Sequence, residues 1–242
     1  MFPLYDDNPS SGTALITVAI IALNVAVWLL VQGAGSDTAL IHSLCAYGLI
    51  PGELLGRVAP GTRIRLGPEL ACVIGRPNWL TAFTSMFMHG SWFHLIGNMW
   101  FLWVFGNNVE DAMGHGRFAV FYILCGLAAA AAQTFVNPSS ALPMVGASGA
   151  IGGVMGGYAV QFPRSRVLTA IVLGFFIRTL WVPAWIMLGY WFLLQFIGGL
   201  PSLASEGGGV AFWAHIGGFA AGALLIFVMR TRQRAMMRES IV

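Results

Sequence analysis

Gly146-Ala147-Ser148-Gly149-Ala150-Ile151-Gly152-Gly153 opens an apolar segment whose only strong nucleophile candidate is Ser148. Gly149, Gly153 and Gly157 recur at every fourth residue. On a helix this spacing forms a stripe of small residues against which another membrane helix packs closely. A serine at a helix start also lies beside unpaired backbone N–H groups that attract negative charge. The octet alone leaves two interpretations open, a nucleophile or one more small residue of a packing stripe.

The composition is that of a membrane protein. Of 242 residues, 57% are hydrophobic and 9% are charged, against roughly 25% charged in soluble domains. The length allows a single domain over residues 1–242, with a helical core over about 13–230. All basic residues are arginine, and the net charge of +3 is too small to indicate a nucleic-acid partner. No cysteine or histidine spacing indicates a metal or haem site, so we expect no cofactor.

Six apolar segments are predicted to cross the bilayer as helices. They cover about residues 13–31, 92–110, 117–136, 146–162, 183–200 and 210–229. The first lacks a basic flank, so it is predicted to be a retained span and not a signal peptide. Residues 34–80 are predicted to form a long, structured first loop at the interface. The apolar run 167–177 is too short to span and is predicted to be interfacial or re-entrant. We therefore expect an all-α membrane protein.

Arginine placement predicts the orientation. The Arg-rich tail, residues 231–242, is predicted to be cytoplasmic, and with six spans the N-terminus is cytoplasmic too. Four arginines of the first loop then lie outside, where a long structured loop is only weakly governed by this rule. Spans two, four and six all start at the outer face. The absence of a transit peptide and the compact core favour a prokaryotic plasma membrane.

Four polar residues fall at one outer depth in these spans: His94, Asn98, Ser148 and His215. Intramembrane polar groups are costly, about 2.5–3.5 kcal/mol for a charged group at a helix centre, and by default they face the protein interior and act there. Gly218 shares a helix face with His215. Packing that face on the glycine stripe of span four would bring His215 to Ser148 as a general base beside a nucleophile.

Hydrolysis by such a pair also needs donors for the tetrahedral oxyanion. Asn98 can supply its side-chain amide, Ser148 its backbone N–H, and His94 or His89 an imidazole N–H. Asn98 and His94 could instead serve only as interhelical hydrogen bonds. No carboxylate is placed to orient His215, so a dyad is predicted and not a triad.

Three motifs in order resemble the signature of the rhomboid family of intramembrane serine proteases. They are Gly146-x-Ser148-Gly149, Ala214-His215-x-x-Gly218, and His89-Gly-Ser-Trp-Phe-His94-Leu-Ile-Gly-Asn98-Met99, the last followed by Phe105-Gly106-x-x-x-Glu110. The resemblance implies a six-transmembrane-helix bundle, with Ser148 as nucleophile and His215 as base. It also implies that Asn98 and His94 line the oxyanion hole, with His89 nearby and Gly146 and Gly149 in support. Its substrates would be transmembrane proteins, cleaved in or beside their membrane segments.

Two positions depart from the family pattern. Many members carry Trp-Arg in the first loop, whereas Trp79 is followed here by Leu80. An ion pair anchoring that loop to a span-end carboxylate such as Glu110 is therefore not expected. Well-studied bacterial members also carry a tyrosine one turn after the serine that packs on the catalytic histidine, where this chain has Gly152.

Two other functions compete with proteolysis. An inactive rhomboid-like protein would only bind membrane clients, although such relatives typically lose the serine or the histidine. A transporter or proton relay could use His94 and His215, but it leaves the Gly-x-Ser-Gly motif unexplained, and the sequence has no inverted repeat. The sequence does not define the substrate, the cleavage site or the oligomeric state.

Cys45 and Cys72 share the first loop, which is extracytoplasmic in the predicted topology. Disulfides persist in that oxidising compartment. The pair is either a disulfide or two unpaired, buried thiols, because the Cα separation does not follow from sequence. Cys125 lies within span three and has no predicted partner.

Overall fold

The computed structural model describes residues 1–10, 12–66, 71–173, 176–203 and 210–231. The helices are α1 Leu15–Leu30, α2 Asp37–Tyr47, α3 Pro51–Leu54, α4 Thr81–Thr84, α5 Trp92–Met113, α6 His115–Val136, α7 Ser148–Gln161, α8 Ala184–Gly199 and α9 Phe212–Met229. The strands are β1 Phe2–Asp6, β2 Arg63–Arg65, β3 Ala71–Val73, β4 Arg166–Leu173 and β5 Phe176–Pro183. The predicted tail lies outside the described residues from 232 onward.

Helices α1 and α5–α9 correspond to the six predicted spans, and the predicted helical membrane bundle is confirmed. By length and composition, α6, α8 with its extension to Leu203, and α9 are long and apolar enough to cross a membrane. Helix α1 is apolar but has only 16 residues. Helix α7 has 14 residues. It lies in the centre of the bundle, where every residue from Gly149 to Tyr158 is buried, so protein and not lipid surrounds it.

Glycines set the distance between α7 and α9. A Cβ at Gly218 would lie 1.9 Å from the carbonyl oxygen of Gly149, and a Cβ at Gly222 would lie 1.9 Å from that of Gly153. Any side chain there would separate the two backbones. On its other side, Gly153 faces Cys125 of α6, whose Cβ would lie 2.3 Å from an added Cβ. The predicted packing of the two small-residue faces is confirmed.

The first loop is structured, as predicted. It contains α2, α3 and the antiparallel strand pair β2–β3, and a disulfide joins Cys45 of α2 to Cys72 of β3 across a Cα–Cα distance of 5.3 Å. Both alternatives were open from the sequence, and the structure contains the disulfide. Cys125 is a buried free thiol in α6.

An antiparallel sheet with strand order β1-β4-β5 was not predicted. The described residues of the run 167–177, expected to be interfacial or re-entrant, lie on β4 and β5, with Leu173 paired to Phe176. Valine, isoleucine, threonine and aromatic residues, which favour strands, dominate this run. Strand β1 precedes the first predicted span, where no element was predicted, and pairs Phe2 with Ala170 and Asp6 with Val167. Its Pro3 carbonyl accepts a hydrogen bond from Trp100 Nε1, so the sheet lies alongside α5.

Two buried carboxylates join elements at the end of the bundle opposite Ser148. Glu110 of α5 accepts hydrogen bonds from the backbone N–H groups of Ile16 and Thr17 and from the Thr17 hydroxyl, all at 2.7–2.8 Å. It thereby caps the N-terminus of α1, which has no other acidic cap. Asp6 of β1 accepts from Tyr158 and Asn108, at 2.5 and 2.8 Å. Glu110 thus anchors α1 and not the first loop.

The disulfide predicts the number of accessible thiols. Alkylation of fully denatured protein should modify one cysteine, Cys125, before reduction and three after it, as read by intact mass. The two bridged cysteines are 27 residues apart in the sequence. Loss of the bridge should therefore also lower the free energy of unfolding, by roughly 3 kcal/mol in the chain-entropy account. Three modified thiols without reduction would contradict the bridge.

Candidate active site

Ser148 and His215 are brought together by the α7–α9 contact. Ser148 is the first residue of α7, and His215 lies in the first turn of α9. Ser148 Oγ and His215 Nε2 are 2.7 Å apart. Sequence separation between them is 67 residues, so this hydrogen bond depends entirely on helix packing. The arrangement is that of a hydroxyl beside an imidazole base.

His94 contacts the same site from α5. Its Nδ1 accepts a hydrogen bond from the Gly90 N–H at 3.3 Å. A ring nitrogen that accepts carries no proton, so the neutral ring carries its proton on Nε2. That nitrogen faces Gly146, because a Cβ at Gly146 would lie 2.7 Å from it and 3.4 Å from Ser148 Oγ. His94 therefore presents a donor beside the serine.

Gly146 cannot be replaced readily. Its φ is +128°, a conformation that favours glycine, and an added Cβ would meet the His94 ring. Gly149, the second predicted supporting glycine, contacts α6 instead, where a Cβ would lie 2.5 Å from that of Ala129. Gly146 thus leaves room for the His94 ring beside Ser148, whereas Gly149 allows close packing of α7 on α6.

Asn98, one turn after His94, lines the same cavity. Its side-chain Nδ2 is buried and has no hydrogen-bond partner among the described residues. A buried donor that is left unpaired lowers the stability of the folded protein by roughly 1–3 kcal/mol. Native structures keep few such groups, and they often do so at functional sites. A ligand oxygen in the cavity would supply the missing acceptor.

His89 is fully buried behind His94 and does not reach Ser148. The two imidazole rings are 5.1 Å apart in an edge-to-face arrangement. Hydrogen bonds of 2.8 Å join the Gln32 amide at the end of α1 to the His89 backbone N–H and carbonyl. Burial, and to a smaller degree His94, lowers the pKa of His89 to about 3, so its ring is neutral at physiological pH. Its position supports His94.

Two residues of α8 complete the surroundings of His215, and the sequence analysis missed both. Gln195 Oε1 lies 2.7 Å from His215 Nδ1. The Trp191 ring packs on the imidazole of His215 with ring centroids 5.8 Å apart. It thus contacts the histidine on which a tyrosine packs in well-studied bacterial members, where this chain has Gly152. The available signal was an amide in an otherwise apolar span, since intramembrane polar groups face the protein interior by default.

A cavity of about 810 Å³ opens over these groups. Its lining includes Ser148, His215, His94 and Asn98, and it extends from Leu40 of α2 to Trp191 of α8. No group of three or more His, Cys, Asp or Glu side chains in the described part of the chain is arranged to hold a metal ion. The space is large enough for an extended peptide segment with water.

Comparison with known proteins identifies the family. The family model described as Rhomboid domain matches residues 76–232, which include Ser148, His215, His94 and Asn98. The chain belongs to the rhomboid family. This membership agrees with the resemblance of its three motifs and with the helical bundle.

Similar rhomboid proteins come from plants, fungi and bacteria. Rhomboid-like protein 11, chloroplastic, of Arabidopsis thaliana is 33% identical over 105 residues, 42% of this chain and 37% of that protein. Rhomboid protein 1, mitochondrial, of Saccharomyces cerevisiae is 28% identical over 144 residues, 58% of this chain and 39% of that protein. Rhomboid protease GluP of Bacillus subtilis is 33% identical over 95 residues, 39% of this chain and 18% of that protein. The chain thus matches less than half of each relative.

Asn98→Ala tests the unpaired donor. If Asn98 Nδ2 binds an oxyanion, its loss should lower the maximal cleavage rate of a membrane-anchored reporter by roughly 10- to 10³-fold. Apparent affinity should change little, because the bond forms mainly in the transition state. Assays of the reconstituted protein over a range of reporter density in the membrane separate the two parameters. A change confined to affinity would make Asn98 a substrate contact.

Proposed function

We propose that this rhomboid is an intramembrane serine endopeptidase that cleaves other membrane proteins in or near their transmembrane segments. The observation that carries the proposal is the 2.7 Å hydrogen bond between Ser148 Oγ and His215 Nε2 at a cavity that also holds Asn98 and His94. Membership of a family that includes a protease by name, GluP of Bacillus subtilis, supports it. The substrate's identity is not part of the proposal.

Acylation follows from this geometry. Ser148 Oγ attacks the scissile carbonyl carbon while His215 Nε2 takes the hydroxyl proton. The carbonyl oxygen becomes an oxyanion that accepts hydrogen bonds from Asn98 Nδ2, His94 Nε2–H and the Ser148 backbone N–H. As the tetrahedral intermediate collapses, the C–N bond breaks and His215 returns its proton to the leaving amine. The product is an ester between Ser148 and the N-terminal part of the substrate.

Deacylation repeats these steps with water as nucleophile. His215 takes a proton from the water as it attacks the ester carbonyl, and the same donors bind the second oxyanion. The C–O bond to Ser148 then breaks, and the proton passes from His215 to Ser148 Oγ. A carboxylic acid leaves, and the free enzyme is restored.

Water must therefore reach a site below the membrane surface. At 1.5 Å per residue the 14 residues of α7 extend about 21 Å, against a hydrocarbon core of roughly 30 Å. If α7 ends at the inner face, Ser148 lies roughly 9 Å below the outer one. The cavity over Ser148 supplies the route for water.

The proposed orientation has the active site facing the extracytoplasmic side of a plasma membrane. The first loop borders the cavity through Leu40 and Leu44 of α2 and also carries the Cys45–Cys72 disulfide. Because disulfides persist in oxidising compartments, this bond supports the assignment of the cavity's side. Both termini would then be cytoplasmic.

Loss of either Ser148 or His215 should abolish cleavage. Ser148→Ala and His215→Ala remove the two halves of one unit, so the double variant should be no worse than either single one. Labelling by a serine-directed fluorophosphonate should disappear in Ser148→Ala and fall steeply in His215→Ala. Each variant's unfolding temperature serves as the folding control. Cleavage comparable to wild type in either single variant would exclude the dyad, and an unlabelled wild type would favour the inactive client-binding protein or the transporter.

The orientation predicts which introduced thiols react from outside. In a Cys125→Ala background, Leu203→Cys at the outer end of the bundle should react with a membrane-impermeant maleimide applied to intact cells. Arg164→Cys, after the end of α7, should react only after permeabilisation. Neither side chain is buried by other parts of the protein. The reverse pattern would invert the topology.

A further inference from the structure

We propose that Gln195 is a positioning residue that holds the His215 ring in the protonation form needed by a general base. The inference rests on the proposed function and concerns the same site. Its basis is the 2.7 Å contact between Gln195 Oε1 and His215 Nδ1, which joins α8 to α9. The motifs that mark Ser148 and His215 do not include this glutamine.

The orientation of the Gln195 amide follows from its second contact. Its Nε2 donates to the Trp191 carbonyl at 3.4 Å. A backbone carbonyl can only accept, so the amide nitrogen must face it and the amide oxygen must face His215. An amide oxygen can only accept, and therefore Nδ1 of His215 carries the proton in the neutral ring.

This protonation form is the one that catalysis requires. With the proton on Nδ1, the lone pair of Nε2 faces Ser148 Oγ at 2.7 Å and can take its proton. The opposite tautomer would present an N–H to the hydroxyl and could not act as a base. In serine proteases with a triad, a carboxylate has this orienting role, and Gln195 performs it here without a charge.

Helix α8 thereby holds the base in two ways. Gln195 fixes one edge of the imidazole, and Trp191, one turn earlier, packs on the ring. Yet α8 is the least buried of the three long apolar helices, with 17% of its most apolar stretch buried against 28% in α9 and 39% in α6. The least buried of these three helices therefore fixes the base, and any displacement of α8 would release His215 from Gln195.

A pair of variants separates positioning from packing. Gln195→Met keeps the length of the side chain but lacks the oxygen acceptor, whereas Gln195→Glu keeps both the shape and an acceptor. We expect Gln195→Met to lower kcat for reporter cleavage by roughly 10- to 100-fold, since a partly buried donor is left unpaired and the wrong tautomer is populated. KM should change by less than about 2-fold, because no substrate contact is lost. The rate of fluorophosphonate labelling of Ser148 should fall in parallel.

Gln195→Glu tests the role of Gln195 through the pH–rate profile, which would not change if Gln195 served only in packing. A carboxylate beside Nδ1 stabilises the charged imidazolium, and His215 must be neutral to act as a base. The acid limb of the pH–rate profile should therefore move to higher pH, while activity at alkaline pH stays within about 10-fold of wild type. Leu194→Met, on the exposed side of the same helix, should match wild type in every readout.

The outcomes separate this inference from the proposed function. If wild type neither cleaves nor is labelled at Ser148, the proposed function fails first. If wild type is active, full activity of Gln195→Met together with an unmoved acid limb in Gln195→Glu would overturn the role of Gln195. Should Gln195→Met unfold, the acid limb of Gln195→Glu decides alone.

Discussion

Direct contact between the backbones of α7 and α9 is the constraint on which the site depends. Gly218 and Gly222 lie so close to the carbonyls of Gly149 and Gly153 that a single Cβ would separate the helices. Between membrane helices the gain comes from such close packing and not from the exclusion of water. Because Ser148 and His215 both lie in the first turn of their helices, this contact also sets the 2.7 Å between them. The same helix contact therefore determines both the packing of α7 on α9 and the geometry of the site.

The two ends of the bundle use polar groups differently. At the end opposite Ser148, the carboxylates of Glu110 and Asp6 are buried and bonded to α1, α5 and α7, where they fix the ends of elements. At the site, among described residues, the polar groups in contact with Ser148 and His215 are neutral. A structural carboxylate can be satisfied completely by fixed donors, whereas the donors of a catalytic site must remain available to substrate. Asn98 keeps its amide unpaired for that reason on the proposed mechanism.

Much of the site could be predicted because its residues carry local signals. Ser148, His215, His94 and Asn98 are polar residues near the start of apolar helices, beside glycines that specify the partner face. Gln195 has no such marker, since its contact with His215 crosses between helices and depends on the rotation of α8. The β4–β5 hairpin was missed for another reason: a short apolar run fits a strand or a helix equally well. Its partner, β1, comes from residues before the first span, for which no element was predicted.

On the proposed mechanism, an uncharged hydrogen-bond acceptor such as Gln195 is well suited to orient the base His215 within the membrane. A carboxylate beside His215 would have to be desolvated in the resting enzyme, at a cost that burial makes large. An amide selects the same tautomer at little cost, but it stabilises the imidazolium of the transition state less than a full charge would. On the proposed mechanism, more of the transition-state stabilisation must then come from the oxyanion side, from Asn98, His94 and the Ser148 N–H. On this account the unpaired donor at Asn98 and the uncharged acceptor at Gln195 are two consequences of placing hydrolysis below the membrane surface.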